Sequence, residues 1–179
     1  MDNFNIICNA KIEPEKLQTA QKIILELQNE LKEKIKTGSG PFLAAIYDEN
    51  GNLIAKSANS VVSENCSNNH AEMNTIKLAQ EKLKTFDLSK YNLSIYITAE
   101  PCIMCLGGIM WSGIKNVFYG VKSSDVEQIT GFDEGFKPNW HEEFAKRNIF
   151  VCGNICKNEG IEVLKTYISQ GNTVYKPQR

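Results

Sequence analysis

The stretch NNHAEMNTIKLAQEKLK, residues 68 to 84, carries apolar side chains at near-helical spacing. This spacing predicts an amphipathic helix, and Asn68 or Asn69 can serve as its N-cap. The helix then begins near His70, so Glu72 also falls in its first turn. An imidazole and a carboxylate are therefore expected together at the end of one helix.

Upstream of this helix, residues 14 to 36 repeat apolar side chains every three or four positions, which predicts another amphipathic helix. Two strand-like runs, FLAAIYD and LIAKSANSVV, follow it. Asn50-Gly51 between them can supply the positive φ values of a tight hairpin turn. The chain therefore opens with a helix and an antiparallel pair.

Downstream, NLSIYIT and NVFYGV read as strands, and PCIMCLGGIMWSG between them reads as a helix with Pro101 at its first position. Residues 122 to 139 read as a long polar loop, before a short helix, a strand and a last helix. This order predicts an α/β fold, a three-layer αβα sandwich with a mixed five-stranded sheet. We expect one domain over residues 1–179.

The composition favours a globular protein of the cytoplasm. The chain has 179 residues, with 20 Lys and Arg against 21 Asp and Glu, and this balance weakens a nucleic-acid partner. No apolar run approaches the roughly 20 residues that a membrane helix needs. Because no secretory signal is expected, the six cysteines are predicted to be reduced thiols or metal ligands. Cys152 and Cys156 are predicted to be small buried thiols.

A second cluster of candidate ligands lies in PCIMC. Cys102 and Cys105 are three positions apart in the first turns of a predicted helix, so both sulfurs can reach one ion. The helix dipole there favours thiolates. Two thiolates with the His70 imidazole suit zinc, and we expect one Zn²⁺ per subunit.

Three protein ligands leave one position of a tetrahedral zinc for a catalytic water. Glu72 is then the expected acid and base, since a carboxylate beside the metal can take a proton from this water and later return it. The alternative is a closed structural site in which Cys66 is the fourth ligand. In that case Glu72 would be a surface residue and the protein would bind zinc without turnover.

His70-Ala71-Glu72 followed by Pro101-Cys102 and Cys105 matches the H-x-E and P-C-x-x-C pattern of zinc nucleobase deaminases. Over residues 14 to 150 the chain resembles the cytidine and deoxycytidylate deaminase superfamily. The resemblance implies hydrolytic replacement of a ring amine by a carbonyl.

GPF at 40–42, SAN at 57–59 and GFDEGF at 131–136 look most like bacterial guanine deaminases, although that group carries GFDD at the last stretch. This resemblance implies that guanine is converted to xanthine and ammonia. It also implies a second catalytic carboxylate from Glu134. The substrate contacts it implies are Phe42, Asn59, Ala71, Trp111, Asp133 and Tyr175.

The resemblance also implies a homodimer, in which the C-terminal tail, residues 170–179, crosses to a partner and closes its pocket with Tyr175. Other substrates stay open, because the zinc motif fixes the reaction and not the ring. A tRNA adenosine deaminase shares the motif, and cytosine or another aminated heterocycle is possible. His141 is expected to be an exposed loop or helix-start histidine and not a metal ligand.

Overall fold

The computed structural model describes residues 6–137 and 139–175, which form a sheet of six strands and six α-helices. The strands are β1 (Ile7–Cys8), β2 (Leu43–Tyr47), β3 (Leu53–Ala58), β4 (Ser94–Ala99), β5 (Asn116–Val121) and β6 (Phe150–Gly153). The helices are α1 (Pro14–Lys34), α2 (Ala71–Leu83), α3 (Ile103–Ser112), α4 (Ser123–Thr130), α5 (Trp140–Ala145) and α6 (Lys157–Ser169).

The strand order in the sheet is β1, β6, β5, β4, β2, β3. Strands β4, β5 and β6 run parallel, whereas β2 runs antiparallel to both β3 and β4, and β1 runs antiparallel to β6. Strand β4 therefore has a parallel neighbour, β5, on one side and an antiparallel neighbour, β2, on the other. Ligand sites of α/β sheets often lie at the carboxyl end of a strand at such a change of direction, and β4 ends directly before Glu100 and Pro101.

Each face of the sheet packs against its own group of helices. Alternate residues of one strand point to opposite faces, so Ala45 joins the cluster that holds α1 and α6, whereas Ala44 joins the cluster that holds α2, α3 and α5. The three-layer αβα prediction is confirmed. None of the helices in residues 6–137 and 139–175 has both the length and the apolar character needed to cross a membrane.

The structure corrects several details of the predicted fold. The sheet has six strands because the short strand β1 pairs along the edge of β6. The predicted loop from 122 to 139 contains the short helix α4, in which Val126 and Thr130 are buried four positions apart. Cys102 is the N-cap of α3, so Pro101 lies before the helix and not at its first position.

The turn between β2 and β3 also differs from the expectation. Of the Asn50–Gly51 pair, Gly51 alone has a positive φ, of 81°. Asp48 shapes the turn instead, because its Oδ1 accepts hydrogen bonds from the backbone N–H groups of Asn50 and Asn52 at 2.9 and 2.8 Å. The hairpin itself is present as predicted.

The cysteine prediction was wrong for one pair. Cys8 and Cys152 lie opposite each other on β1 and β6 and are joined by a disulfide. The pairing of a two-residue strand with β6 could not be recognised from its sequence, which has too few residues to show a strand period. Cys66, Cys102, Cys105 and Cys156 are free.

Candidate metal centre and pocket

The three predicted ligands meet where two helices begin. His70 is the N-cap of α2 and Cys102 is the N-cap of α3, and these helices pack against each other on one face of the sheet. Cys105 lies in the first turn of α3 and is fully buried. The two helix N-termini thus direct one imidazole and two sulfurs to a common point.

The distances among these ligand atoms match a tetrahedral zinc. The Cys102 sulfur lies 3.5 Å from His70 Nδ1 and 3.6 Å from the Cys105 sulfur, and the Cys105 sulfur lies 3.6 Å from His70 Nδ1. Zinc bonds of about 2.3 Å to sulfur and about 2.0 Å to nitrogen require separations of roughly 3.5 to 3.8 Å in a tetrahedron. The residues therefore fit a zinc ion without rearrangement.

Cys66 does not belong to this group. Among the described residues, the ligand atoms that lie within 4.8 Å of one another at this site are those of His70, Cys102 and Cys105. Cys66 lines the pocket nearby, from the loop before α2. The arrangement is that of a site with three protein ligands, in which a tetrahedral metal keeps one position for water or substrate.

The two thiols are electrostatically unequal. Their mutual hydrogen bond lowers the pKa of Cys102 to about 4, with a further contribution from His70, and raises the pKa of Cys105 well above its usual range. One sulfur of the pair is therefore a thiolate at neutral pH before a metal binds. A thiolate is the form in which cysteine binds zinc.

Glu72 lies beside the ligands with only 6% of its surface exposed. Burial, with a smaller contribution from the nearby Cys102, raises the pKa of its carboxyl to about 7, and His70 opposes the shift. A group that both accepts and donates a proton near neutral pH needs a pKa in this range. Glu72 therefore lies beside the ligand group with a pKa near neutrality, and its role as acid and base stays a prediction.

A cavity of about 490 Å³ opens next to these residues. His70, Glu72 and Cys102 line one side of it, and Glu134 lines another. Aromatic rings form an apolar wall, in which the centroid of Phe132 lies 5.6 Å from that of Phe42 and 5.1 Å from that of Tyr175. A flat aromatic ring is the kind of ligand that such a wall favours.

The acidic loop supplies Glu134 to the interior. Its side chain is 11% exposed, and burial raises its pKa to about 7, an effect that Lys137 opposes. Asp133 also lines the cavity, but it is exposed, and its Oδ1 accepts a hydrogen bond from the backbone N–H of Gly135 at 2.9 Å. Of the two acids, Glu134 is the buried one that faces the metal ligands.

Two further predicted contact residues lie behind the cavity surface. Asn59 is 1% exposed, its Oδ1 accepts from the Val61 N–H at 3.2 Å, and its Nδ2 donates to the Tyr175 hydroxyl at 2.8 Å. Ala71 is the first residue of α2 and is fully buried in the core. The structure brings neither side chain to the cavity lining, so their roles in binding stay predictions.

The structure does not place Trp111, predicted to wall the pocket, among the residues that line the cavity of its own chain. Trp111 is 84% exposed, near the C-terminal end of α3. The N-terminus of that helix carries the metal ligands, and nine residues of α-helix span about 13 Å. Trp111 therefore lies too far along α3 to reach a ring bound beside Cys102.

Residues 17–121 match the family model of the cytidine and deoxycytidylate deaminase zinc-binding region, which covers more than half of the chain. The chain belongs to the cytidine and deoxycytidylate deaminase family. The family carries a zinc-binding region, so the zinc prediction is confirmed together with the three-ligand group that the structure assembles.

Two relatives of this deaminase are described as guanine deaminases. A solved structure of the guanine deaminase from Nitrosomonas europaea is 35% identical, covers 93% of this chain and 90% of that chain, and has a TM-score of 0.77. The guanine deaminase of Bacillus subtilis (strain 168) is 35% identical over 104 residues. That match covers 58% of this chain and 65% of the Bacillus protein, a little under two thirds of its length.

A third relative is described as a tRNA-specific adenosine deaminase. The protein from Buchnera aphidicola subsp. Schizaphis graminum (strain Sg) is 29% identical over 115 residues, which cover 64% of this chain and 72% of that protein. The deaminase family therefore includes relatives of this chain with different substrates.

Several residues around the deaminase pocket were not predicted from the sequence. Phe132 could have been found, because it lies inside the GFDEGF stretch already identified. Glu100, Lys137 and Trp140 carry no motif that links them, and only the folded chain brings them together. His141, expected on the surface, is partly buried and hydrogen-bonds to the Tyr119 hydroxyl at 3.2 Å.

Metal content of two cysteine variants tests this ligand set. We expect the purified protein and the Cys66→Ser variant to hold one zinc per chain after dialysis, because Cys66 lies outside the ligand group. Cys102→Ser should lose most of its zinc, since a hydroxyl is a poor zinc ligand. Mass spectrometry of the bound metal checks both. Equal loss from the two variants would contradict the three-ligand site.

Proposed function

We propose that this chain is a zinc-dependent deaminase of a free nucleobase, which converts guanine and water to xanthine and ammonia. The observation that carries the proposal is the buried Glu72 carboxylate next to three metal ligands, at the floor of a cavity with an aromatic wall. The two guanine deaminases among its relatives support guanine as the ring.

The cavity suits a purine in size and character. Phe42 and Phe132 offer aromatic surface to the flat faces of the base, and Tyr175 extends the same wall. In this proposal the base lies against Phe42 with its amine-bearing carbon toward the metal ligands. Glu134 then lies on the side from which the amine leaves, because it faces the same cavity as Glu72.

Glu72 carries the proton transfers of the proposed reaction. Zinc held by His70, Cys102 and Cys105 supplies an acidified water at neutral pH. Glu72 accepts a proton from the attacking water and delivers it to the ring nitrogen next to the reacting carbon. It then takes the remaining proton from the new hydroxyl group and donates it to the departing amine as the carbonyl forms. Glu134 accepts a hydrogen bond from that amine and keeps it oriented. Ammonia leaves and the carbonyl of xanthine remains.

Asn59, Ala71, Asp133 and Tyr175 are proposed to fix the orientation of the base. The amide of Asn59 makes one hydrogen bond through Oδ1 and one through Nδ2, so each atom keeps capacity for one further hydrogen bond to a base. Tyr175 covers this amide and would close the pocket over a bound ring. Ala71 begins α2, where backbone N–H groups can donate to a polar ring edge.

A tRNA adenosine deaminase is the nearest alternative, as the Buchnera relative indicates. Such an enzyme needs a basic surface to bind the phosphate backbone. The net charge of this chain is −1, and Asp133 and Glu134 both line the cavity. These features favour a small neutral substrate over an RNA.

The Glu72→Gln variant tests the reaction. We expect the zinc-loaded protein to release ammonia from guanine and not from adenine, cytosine, their nucleosides or a tRNA. Glu72→Gln should retain zinc and lose activity by roughly a hundredfold or more, because the amide cannot transfer the proton. An ammonia assay over this panel checks both points.

Each other outcome of this panel has a definite meaning. Ammonia release from the tRNA alone would replace guanine by an RNA substrate. No release from any compound would overturn the proposed reaction and favour a protein that binds zinc without turnover.

We also propose that the protein is a homodimer. Trp111 and Phe136 expose large apolar surfaces, at 84% and 78%, and Ile103 on the same helix as Trp111 is 37% exposed. Exposed aromatic side chains of this size are enriched where two protein chains meet. Residues 176–179 of the tail lie outside the described residues, whereas Tyr175 contacts Asn59 of its own chain.

A mixed dimer tests whether the tail acts within its own chain or in its partner. Glu72→Gln and Tyr175→Ala chains, each carrying a different purification tag, are isolated as a heterodimer. If Tyr175 closes the pocket of its own chain, neither pocket of the heterodimer contains both an intact Glu72 and an intact Tyr175. We then expect the heterodimer to be as inactive as the two single-variant homodimers. Recovery of ammonia release to about half of the wild-type rate per dimer would instead show that the tail is exchanged.

A further inference from the structure

The loop that carries Glu134 is fastened to the segment that carries the metal ligands. Glu100 follows β4 directly and precedes Pro101 and Cys102. Its Oε1 accepts a hydrogen bond from Trp140 Nε1 at 2.9 Å, and its Oε2 accepts one from the Ser123 N–H at 2.9 Å. One carboxylate thus holds the beginning of α4 and the beginning of α5, the two helices that flank the loop.

Lys137 extends this connection to Glu134. Its Nζ lies 3.9 Å from Glu100 Oε1 and 3.9 Å from Glu134 Oε2. All three side chains are largely buried, with exposed fractions of 14% for Lys137, 13% for Glu100 and 11% for Glu134. Two buried carboxylates therefore share one ammonium group.

The ion pairs have a clear electrostatic consequence. Charges that are removed from water interact more strongly than charges on the surface, and two carboxylates without a cation between them repel each other. Without the Lys137 ammonium, Glu134 would be driven away from Glu100 and toward solvent. Glu134 would then leave the cavity that it lines.

We propose that Lys137 is a positioning residue, which holds the Glu134 carboxylate inside the pocket by bridging it to Glu100. Lys137 is not among the residues that line the described cavity, so it acts through Glu134 and not on the substrate. The function of Glu134 rests on the proposed deaminase reaction, but its position does not. The two can therefore be tested separately.

Amide hydrogen exchange of the zinc-loaded protein tests the position without any substrate. Lys137→Met removes the charge and keeps most of the length of the side chain. We expect faster exchange at residues 132–136 in this variant, because the loop loses its ionic link to Glu100. Lys157→Met is the matched control, since Lys157 forms a partly buried ion pair with Asp125 at 2.8 Å, between α6 and α4. It should leave exchange at residues 132–136 unchanged.

Steady-state kinetics test the effect on catalysis. Lys137→Met should lower kcat by about tenfold to a hundredfold through misplacement of Glu134, with a smaller change in KM and no loss of zinc. Lys137→Arg should recover part of the rate because it restores the charge. In a Glu134→Gln background the further change Lys137→Met should cost little, since the group that it positions is already absent.

The outcomes separate this proposal from the proposed function. Unchanged exchange at residues 132–136 in Lys137→Met would overturn the positioning role, whether or not the protein deaminates guanine. Faster exchange in a protein that releases no ammonia would support the positioning role and reject only the reaction. If the loss of kcat in the double variant Glu134→Gln/Lys137→Met equals the product of the losses in the two single variants, Lys137 acts independently of Glu134. That result would also overturn the proposal.

Discussion

The approach of two helix N-termini to one point is the constraint on which the site depends. His70 caps α2 and Cys102 caps α3, and this arrangement brings one nitrogen and two sulfurs within 3.6 Å of one another. Such close polar groups in a buried place are stable only with a shared proton or a shared cation. The packing of α2 against α3 therefore sets the geometry of the metal site.

The same packing explains the position of Glu72. Because it lies two residues after His70 at the start of α2, its carboxylate enters the pocket beside the ligands instead of facing solvent. The opposite side of the pocket is built differently. Glu134 comes from a loop without regular structure, and the loop is held through Glu100 by side-chain contacts to Lys137 and Trp140.

This contrast explains which features could be predicted from the sequence. His70, Cys102 and Cys105 were predictable because helix periodicity fixes how closely spaced residues are presented. Lys137 was not, because its partners Glu100 and Glu134 depend on the path of the loop after α4, which no local sequence pattern determines. The exposed position of Trp111, away from the cavity of its own chain, was not predictable either, because the resemblance names the residue without showing which way α3 points it.

X-ray absorption at the zinc edge of the purified protein tests the central claim most directly, which is that the metal has three protein ligands and one open position. The account predicts two sulfur neighbours at about 2.3 Å and two nitrogen or oxygen neighbours at about 2.0 Å. One of the lighter neighbours should exchange when a base analogue binds. Three sulfur neighbours, with no change on adding the analogue, would contradict it and identify Cys66 as the fourth ligand of a structural zinc.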